Sequence, residues 1–394
     1  MNAIAMRSTV LVFMLLAWAA CRAAAEPPVA EESLRLEVDL PYQARRSEPV
    51  SYHVDFSAVV TPPYGTKLLK VWLPLPPSDG VQVVSDSKLT SFPVEVPARI
   101  GKETTFGNRF AYFEFHNPKG AQIIRHQFQA RVWELRWNVE PDKIVAVERW
   151  PAQFDPYLRG DRAVVVDERF SKLLERVLAG RPDELHPLAA IMAWTNGHMT
   201  YDHARASLSA SSEHALEQQR GHCSDYHGLC AAMGRALGYP TRVTYGTHLF
   251  PKNSPSHCKL EAFLPPYGWV SFDVSETQRL AAAIEDGVPL EQARRRLVRA
   301  ANQRLYSGFR DNTWLLLTKG TDYDLDPPAA QRVAVVRTIH AEADGVALPE
   351  PDPANPDQRE FAWMTVHKFT PDRPVKYPFQ DWQDLVDDAN DNAD

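Results

Sequence analysis

The sequence lacks the features of several large protein classes. Beyond the first 25 residues, no run approaches the roughly 18 continuous apolar residues that span a bilayer, so we expect no membrane span in the mature chain. The net charge of -7 over 394 residues offers no basic surface for nucleic acid. The sequence has no C-x2-C or H-x3-H spacing, no calcium loop and no internal repeat. We therefore expect no metal, cofactor or nucleic-acid partner.

Cysteine is scarce, with four residues in the chain. Cys21 lies in an N-terminal segment that has the features of an export signal, with Arg7, an apolar stretch and three alanines at 23–25 before a cleavage point. We expect a periplasmic or secreted protein, with a lipoprotein anchored at Cys21 as the alternative and an uncleaved anchor as a third. Cleavage leaves an odd number of cysteines and hence at least one free thiol. These cysteines are Cys223, Cys230 and Cys258.

The composition is that of a globular protein too long for one ordinary core, with 44% hydrophobic and 24% charged residues. Short alternating segments between turn residues predict an antiparallel β-sandwich, and helical spacing begins near residue 165. We expect an acidic, disordered chain end. The predicted organisation is a signal peptide (1–25), a linker (26–34), a β-sandwich (35–139), a catalytic core (140–285), an extension packing on that core (286–345) and a Pro/Asp-rich tail (346–394).

Cys223 occupies a position that activates thiols. It follows Gly221 and precedes a helical pattern that stops at Gly238. At the start of a helix, free backbone N–H groups and the helix dipole favour the thiolate. Cys223 is therefore the candidate nucleophile, and a buried structural thiol is the alternative. Cys230, on about the same helix face, is better explained as core.

Two strand-like segments after this helix predict a β-hairpin with its turn near Pro265. A turn centred there places His257 opposite Asp273, and a slip of two residues leaves them diagonal neighbours. An imidazole held by a carboxylate can take a thiol proton and later give it to a leaving amine. His227, one helical turn after Cys223, is the alternative base.

Other roles for nearby residues stay open. Soft ligands close in sequence make a zinc site an alternative, although their spacing does not support it. These ligands are His222, Cys223, His227, His257 and Cys258. A disulfide between Cys230 and Cys258 is conceivable. The backbone N–H of Cys223 is one candidate oxyanion donor, and Trp194 or Tyr201 could supply a second.

Four motifs, in this order, resemble the transglutaminase-like superfamily, a branch of papain-like thiol chemistry. They are Gly-His-Cys (221–223), Gly-Tyr-Pro-Thr-Arg-Val (238–243), His257 and Gly-Trp-Val-Ser-Phe-Asp (268–273). The resemblance covers roughly residues 140–285. It implies an α+β fold with a papain-like core after the sandwich, and Cys223, His257 and Asp273 as a catalytic triad. One departure is Lys259, where family members commonly have an aromatic residue; it could reshape the acyl site or point to solvent.

The resemblance also implies a reaction. A thioester on Cys223 would serve acyl transfer or hydrolysis at a carboxamide or peptide bond of a protein or peptide substrate, without a cofactor. One alternative is a cysteine peptidase or amidase acting on envelope peptides. Another is a non-catalytic binding or scaffold module with a relic triad. The residues do not distinguish water from an amine as the final acceptor.

Overall fold

The computed structural model describes residues 34–183, 185–252, 254–351 and 362–385. The signal-peptide prediction and the acidic end beyond residue 385 lie outside them. The strands are β1 Arg45–Arg46, β2 Val50–Val60, β3 Leu68–Leu75, β4 Gln82–Phe92, β5 Arg99–Lys102, β6 Arg109–His116, β7 Gln122–Val132, β8 Leu135–Arg136, β9 Thr200–Tyr201, β10 Arg220–Gly221, β11 Thr241–His248, β12 Ser256–Leu264, β13 Gly268–Phe272, β14 Phe309–Arg310, β15 Trp314–Lys319, β16 His340–Ala343, β17 Val346–Ala347 and β18 Trp363–Pro371.

The helices are α1 Asp155–Leu158, α2 Glu168–Ala179, α3 Pro187–His198, α4 Ser212–Gln218, α5 Cys223–Ala236, α6 Val274–Gly287 and α7 Glu291–Tyr306. Short 3-10 turns span Pro141–Lys143, Ala152–Phe154, His203–Arg205 and Trp382–Asp384. Within the described ranges, none of these helices combines the length and the apolar character that crossing a bilayer requires.

Two antiparallel sheets pack face to face and form the predicted sandwich. Their strand orders are β17-β16-β3-β6-β5 and β18-β2-β7-β4. Buried and less buried residues alternate along β2 and β7, as expected of strands with one face on a core. Phe56 and Ile124 of one sheet meet Val71 and Phe113 of the other in a shared apolar cluster. The α+β class with a preceding sandwich is thus confirmed.

The sandwich is completed by strands from the far end of the chain. β18 pairs with β2 along its whole length, and β16 pairs with β3. The sequence pattern instead predicted a tail at 346–394 and an extension packing on the core at 286–345. The signal of β18 is weak because its inward positions include Thr365 and His367, whereas Met364 and Val366 are exposed. Apolar residues therefore lie on both faces of β18, which obscures the alternation that identifies a half-buried strand.

The core domain has one central helix beside a four-stranded sheet. The sheet order is β13-β12-β11-β15, and all eight residues of β11 are buried. Helix α5 is buried from Cys223 to Arg235 and contacts β11, β12 and helices α2, α3 and α4. Close approach requires glycine at 228, where a Cβ would lie 2.3 Å from the Ala210 carbonyl oxygen. A helix packed on so many sides holds its N-terminus rigidly.

Candidate active site

Cys223 is the first residue of α5, as the sequence predicted. His222 caps the helix: its Nδ1 accepts a hydrogen bond from the Ser224 N–H at 3.2 Å. The side chain of Asp225 in turn accepts a hydrogen bond from the His222 N–H at 3.1 Å, which completes a capping box. Gly221 is required beside it, since a Cβ there would lie 2.2 Å from Asp225 Oδ2. Cys223 is 5% exposed at this fixed helix start.

The β12–β13 hairpin brings His257 to Asp273. His257 Nε2 lies 2.7 Å from Asp273 Oδ2, and both side chains are buried. Asp273 is also the N-cap of α6, where its Oδ1 accepts the Glu276 N–H at 3.1 Å. A carboxylate fixed by a helix start can hold the imidazole in one orientation.

The hairpin register differs from the predicted one by two residues. Leu264 pairs with Gly268, so the connection has three residues and its centre is Pro266 rather than Pro265. Direct pairing of His257 with Asp273 was therefore wrong. The two residues meet as diagonal neighbours, and a three-residue turn explains the shift.

The side chains of Cys223 and His257 shift each other's pKa. Interaction with the Cys258 side chain and the positive charge of His257 lower the pKa of the Cys223 thiol well below its ordinary value, against burial, which raises it. Burial alone would lower the pKa of His257, but the charges of Asp273 and Cys223 raise it to about 10. The two shifts favour a thiolate beside an imidazolium.

Lys259 extends this network instead of pointing to solvent. It is fully buried, and its Nζ lies 2.6 Å from Asp273 Oδ2 and 2.8 Å from Asp311 Oδ1. Burial would lower the pKa of Lys259, but the two carboxylates outweigh this and raise it. The ammonium group also lies 5.4 Å from the ring centroid of Trp314 and 4.9 Å from that of Phe379. Asp311 had no sequence signal as a site residue.

The alternative roles fare differently. Burial lowers the pKa of His227 to about 4, so this imidazole is a weak base and poorly suited to take the thiol proton. Cys230 donates to Thr195 Oγ1 at 3.3 Å, and burial raises its pKa to about 12, as expected of a structural thiol. The cysteines at 223, 230 and 258 are all free, so the conceivable disulfide between Cys230 and Cys258 is not formed.

A cleft of about 640 Å³ opens beside His257. Tyr201 lines it, whereas Trp194, the other suggested oxyanion donor, is not among its lining residues. Its lining residues are Tyr201, His203, His248, Pro251, Lys252, Ser254, Ser256, His257, Glu276, Arg279, Ala283, Tyr377, Phe379 and Gln380. The last three come from the segment predicted as a Pro/Asp-rich tail.

Tyr377 links two charged residues of this cleft. Its hydroxyl donates to Glu276 Oε2 at 2.8 Å and accepts from Lys252 Nζ at 2.9 Å. Lys252 also bonds Glu276 Oε1 at 2.9 Å. The C-terminal segment therefore forms part of the cleft wall.

The described residues place three potential metal ligands together: His248, His257 and Glu276, with ligand atoms within 4.8 Å of one another. This group shares only His257 with the zinc alternative from the sequence. His257 is bound to Asp273, and Glu276 already accepts from two cations and Tyr377. With His257 and Glu276 engaged in this way, two of the three ligands are already bound to other groups of the protein.

Comparisons with known proteins support the family resemblance and the fold. Residues 171–274 match the model of the transglutaminase-like superfamily, a range that contains Cys223, His257 and Asp273. A candidate cysteine protease from Cytophaga hutchinsonii superposes with a TM-score of 0.57 at 14% identity, over 85% of this chain and 95% of that one. This likeness shows the fold. The resemblance inferred from the motifs is confirmed.

Two further relatives are more distant. The periplasmic domain of TgpA from Pseudomonas aeruginosa matches with a TM-score of 0.31 at 13% identity, over 61% of this chain and 92% of that domain, too low to carry an argument. An uncharacterized protein of Haemophilus influenzae is 21% identical over 258 residues, 59% of this chain. The match spans 66% of that protein, just under two thirds of its length.

Proposed function

We propose that this chain, whose residues 171–274 match the model of the transglutaminase-like superfamily, is a thiol-dependent enzyme that cleaves or exchanges a carboxamide or peptide bond through a thioester on Cys223. The observation that carries the proposal is the placement of Cys223 at the start of α5, with His257 held 2.7 Å from Asp273 beside a cleft. The lowered pKa of Cys223 and the raised pKa of His257 agree with it. A structural thiol would show the opposite shift, as Cys230 does. We propose Cys223 as nucleophile, His257 as acid and base, and Asp273 as its orienting carboxylate.

The reaction follows from which nitrogen is free. Asp273 holds Nε2 of His257, which leaves Nδ1 for the sulfur. The Cys223 thiolate attacks the carbonyl carbon, and the C–N bond then breaks as Nδ1–H gives its proton to the leaving amine. In the second half, neutral His257 takes a proton from water or an acceptor amine, which attacks the thioester and restores the thiolate. No metal takes part in these steps.

The developing oxyanion needs donors near the helix start. The backbone N–H of Cys223 belongs to the first turn of α5, where N–H groups have no helical partner. Tyr201, at the cleft wall, is the candidate second donor. Burial raises the pKa of its hydroxyl above the ordinary value, so it keeps its proton for donation.

Alkylation separates this enzyme from a scaffold with a relic triad. Iodoacetamide should label Cys223 of the full chain well below the pH at which a free thiol reacts, and His257→Ala should move that profile to higher pH. Cys230→Ala is the matched control, since it removes a buried thiol outside the site. Equally slow labelling of Cys223 in the wild type and in His257→Ala would contradict the proposal.

A peptidase or amidase of envelope peptides is the second candidate, which the fold likeness to a candidate cysteine protease favours. It shares the thioester and differs in the acceptor. Peptide libraries scored for ammonia release, peptide cleavage and incorporation of a labelled amine distinguish the two. We propose a periplasmic or secreted site of action because the sequence predicts an export signal at residues 1–25. Fractionation of cells that express the full chain tests it.

A further inference from the structure

One face of helix α6 runs from the proposed triad along the cleft. Asp273 is the N-cap of this helix, and Glu276, Arg279 and Ala283 line the cleft. These three residues are spaced by three and four positions, so they lie along one side of the helix. At 1.5 Å per residue, Arg279 lies about 9 Å along the helix from Asp273, and its side chain leans back toward the N-terminus. This distance corresponds to about three residues of an extended peptide.

The charges on this wall of the cleft do not cancel. Glu276 is shared by two cations: Lys252 Nζ lies 2.9 Å and Arg279 Nη1 lies 3.2 Å from the same oxygen, Oε1. The other oxygen, Oε2, accepts the hydroxyl of Tyr377 at 2.8 Å. Lys252, Glu276 and Arg279 together therefore carry one net positive charge, and both carboxylate oxygens are already engaged.

Arg279 is the cation of this group that can reach a ligand. Its side chain is 49% exposed, whereas that of Lys252 is 15% exposed and hydrogen-bonded to both Glu276 and Tyr377. A guanidinium has five N–H groups. Among the described residues the side chain of Arg279 makes one hydrogen bond, to Glu276, so an edge of the planar group remains for a ligand.

Tyr201 places this guanidinium beside the reacting carbonyl. The guanidinium carbon of Arg279 lies 5.6 Å from the centroid of the Tyr201 ring, a cation–π contact. The hydroxyl of the same tyrosine is the candidate second oxyanion donor. Glu276 and Tyr201 thus hold Arg279 in one orientation, next to the position that the substrate carbonyl would occupy.

We propose that Arg279 selects the substrate by pairing with a carboxylate that lies within about three residues of the bond that reacts. The inference rests on the proposed function and deepens it by naming the substrate class, an acidic peptide. Two parallel N–H groups of a guanidinium match the two oxygens of a carboxylate, and that carboxylate balances the net positive charge of the wall. Its source is an Asp or Glu side chain, or the α-carboxylate of a peptide that ends there.

The test is a peptide library in which each acidic peptide has a neutral twin, with Asn for Asp or Gln for Glu, and each is made with a free and an amidated C-terminus. Mass spectrometry follows the loss of every peptide on incubation with the full chain. For the wild type we expect acidic peptides to react about five- to tenfold faster than their twins, through KM rather than kcat, because the guanidinium is half exposed. The effect of amidation separates the C-terminus from a side chain as the source.

Substitutions at position 279 connect the preference to this side chain. Arg279→Gln should abolish it, and Arg279→Glu should reverse it toward peptides with Lys at the same place. Arg279→Lys keeps the charge without the planar group and should retain part of the preference. Arg295→Gln is the matched control, because Arg295 is an exposed arginine that pairs with Glu291 one helical turn away, on α7 and outside the lining of the cleft. It should keep the wild-type preference.

Urea unfolding shows which variants are folded, and Arg279→Gln takes the place of the Glu variant if that one is not. A wild type that turns over both twins equally, or a folded Arg279 variant that keeps the wild-type preference, overturns the assignment, while turnover itself upholds the proposed function. Equal loss of the preference in Arg295→Gln shows that overall charge is responsible and also overturns it. A wild type that turns over no peptide of the library contradicts the proposed function.

Discussion

Replacing Lys259 tests whether the site depends on a buried charge network. Lys259→Met keeps the length of the side chain and removes its charge. It leaves Asp273 with His257 and Asp311 with the hydroxyl of Thr313, both carboxylates being almost fully buried. Removing one partner of a buried ion pair costs about 3–5 kcal/mol. We expect a loss of that size in the free energy of unfolding.

The double variant Lys259→Met/Asp311→Asn supplies the control. It removes one positive and one negative charge together, and the amide oxygen introduced at position 311 can still accept a hydrogen bond from Thr313. Replacing both partners of a buried pair by neutral groups is often nearly neutral. We therefore expect the double variant to recover about 2 kcal/mol or more of the loss, which makes the two changes strongly non-additive.

Urea unfolding of the full chain, followed by tryptophan fluorescence, gives these differences where the slope with urea is unchanged. Alkylation of Cys223 in the same samples reports whether the site is intact. A cost below about 1 kcal/mol for Lys259→Met would refute the reasoning, because a buried unpaired carboxylate is far more expensive. A double variant no more stable than the single one would refute it as well.

Three further predictions concern other parts of the site. Amide turnover should fall as pH rises through about 10, because His257 then loses the proton that it gives to the leaving amine. Alkylation of Cys223 needs only the thiolate and should not fall, so rate profiles of both reactions at alkaline pH check this prediction. Gly221→Ala should cost about 1–3 kcal/mol and slow alkylation of Cys223, since its Cβ would collide with the carboxylate of Asp225; unfolding and labelling measure it. Tyr377→Phe should raise KM for peptide substrates and leave the alkylation of Cys223 unchanged, because the lost hydroxyl orders Lys252 and Glu276 in the cleft wall.

The parts of the site that sequence could predict are local. Gly221, Cys223 and the apolar spacing after them fall within a few helical turns, so the position of the thiol at the helix start follows from capping rules. His257 and Asp273 are brought together by one hairpin. Their contact was predicted correctly although the predicted register was wrong by two residues. Such an error is harmless here because residues two apart stay on the same strand face.

The parts that it could not predict depend on distant pairing. Asp311 reaches Lys259 because β15 joins β11, a contact between remote segments. Lys259 was the one indication in the sequence, because a lysine in an apolar strand needs a carboxylate partner. The residues near Lys259 in sequence do not indicate which carboxylate that is. Tyr377 was missed for a related reason: β18, whose inward positions are partly polar, leads the chain back to the cleft.

The pairing of β18 with β2 also constrains how the protein is made. If the chain emerges from its N-terminus, the edge of β2 that pairs with β18 stays unpaired until almost the whole remaining chain has emerged. An open edge of this kind recruits other strands, including those of neighbouring copies. Full-length chains released together are therefore at risk of exchanging β18, and a chaperone that shields β2 until the last strand arrives would raise the yield of folded monomer.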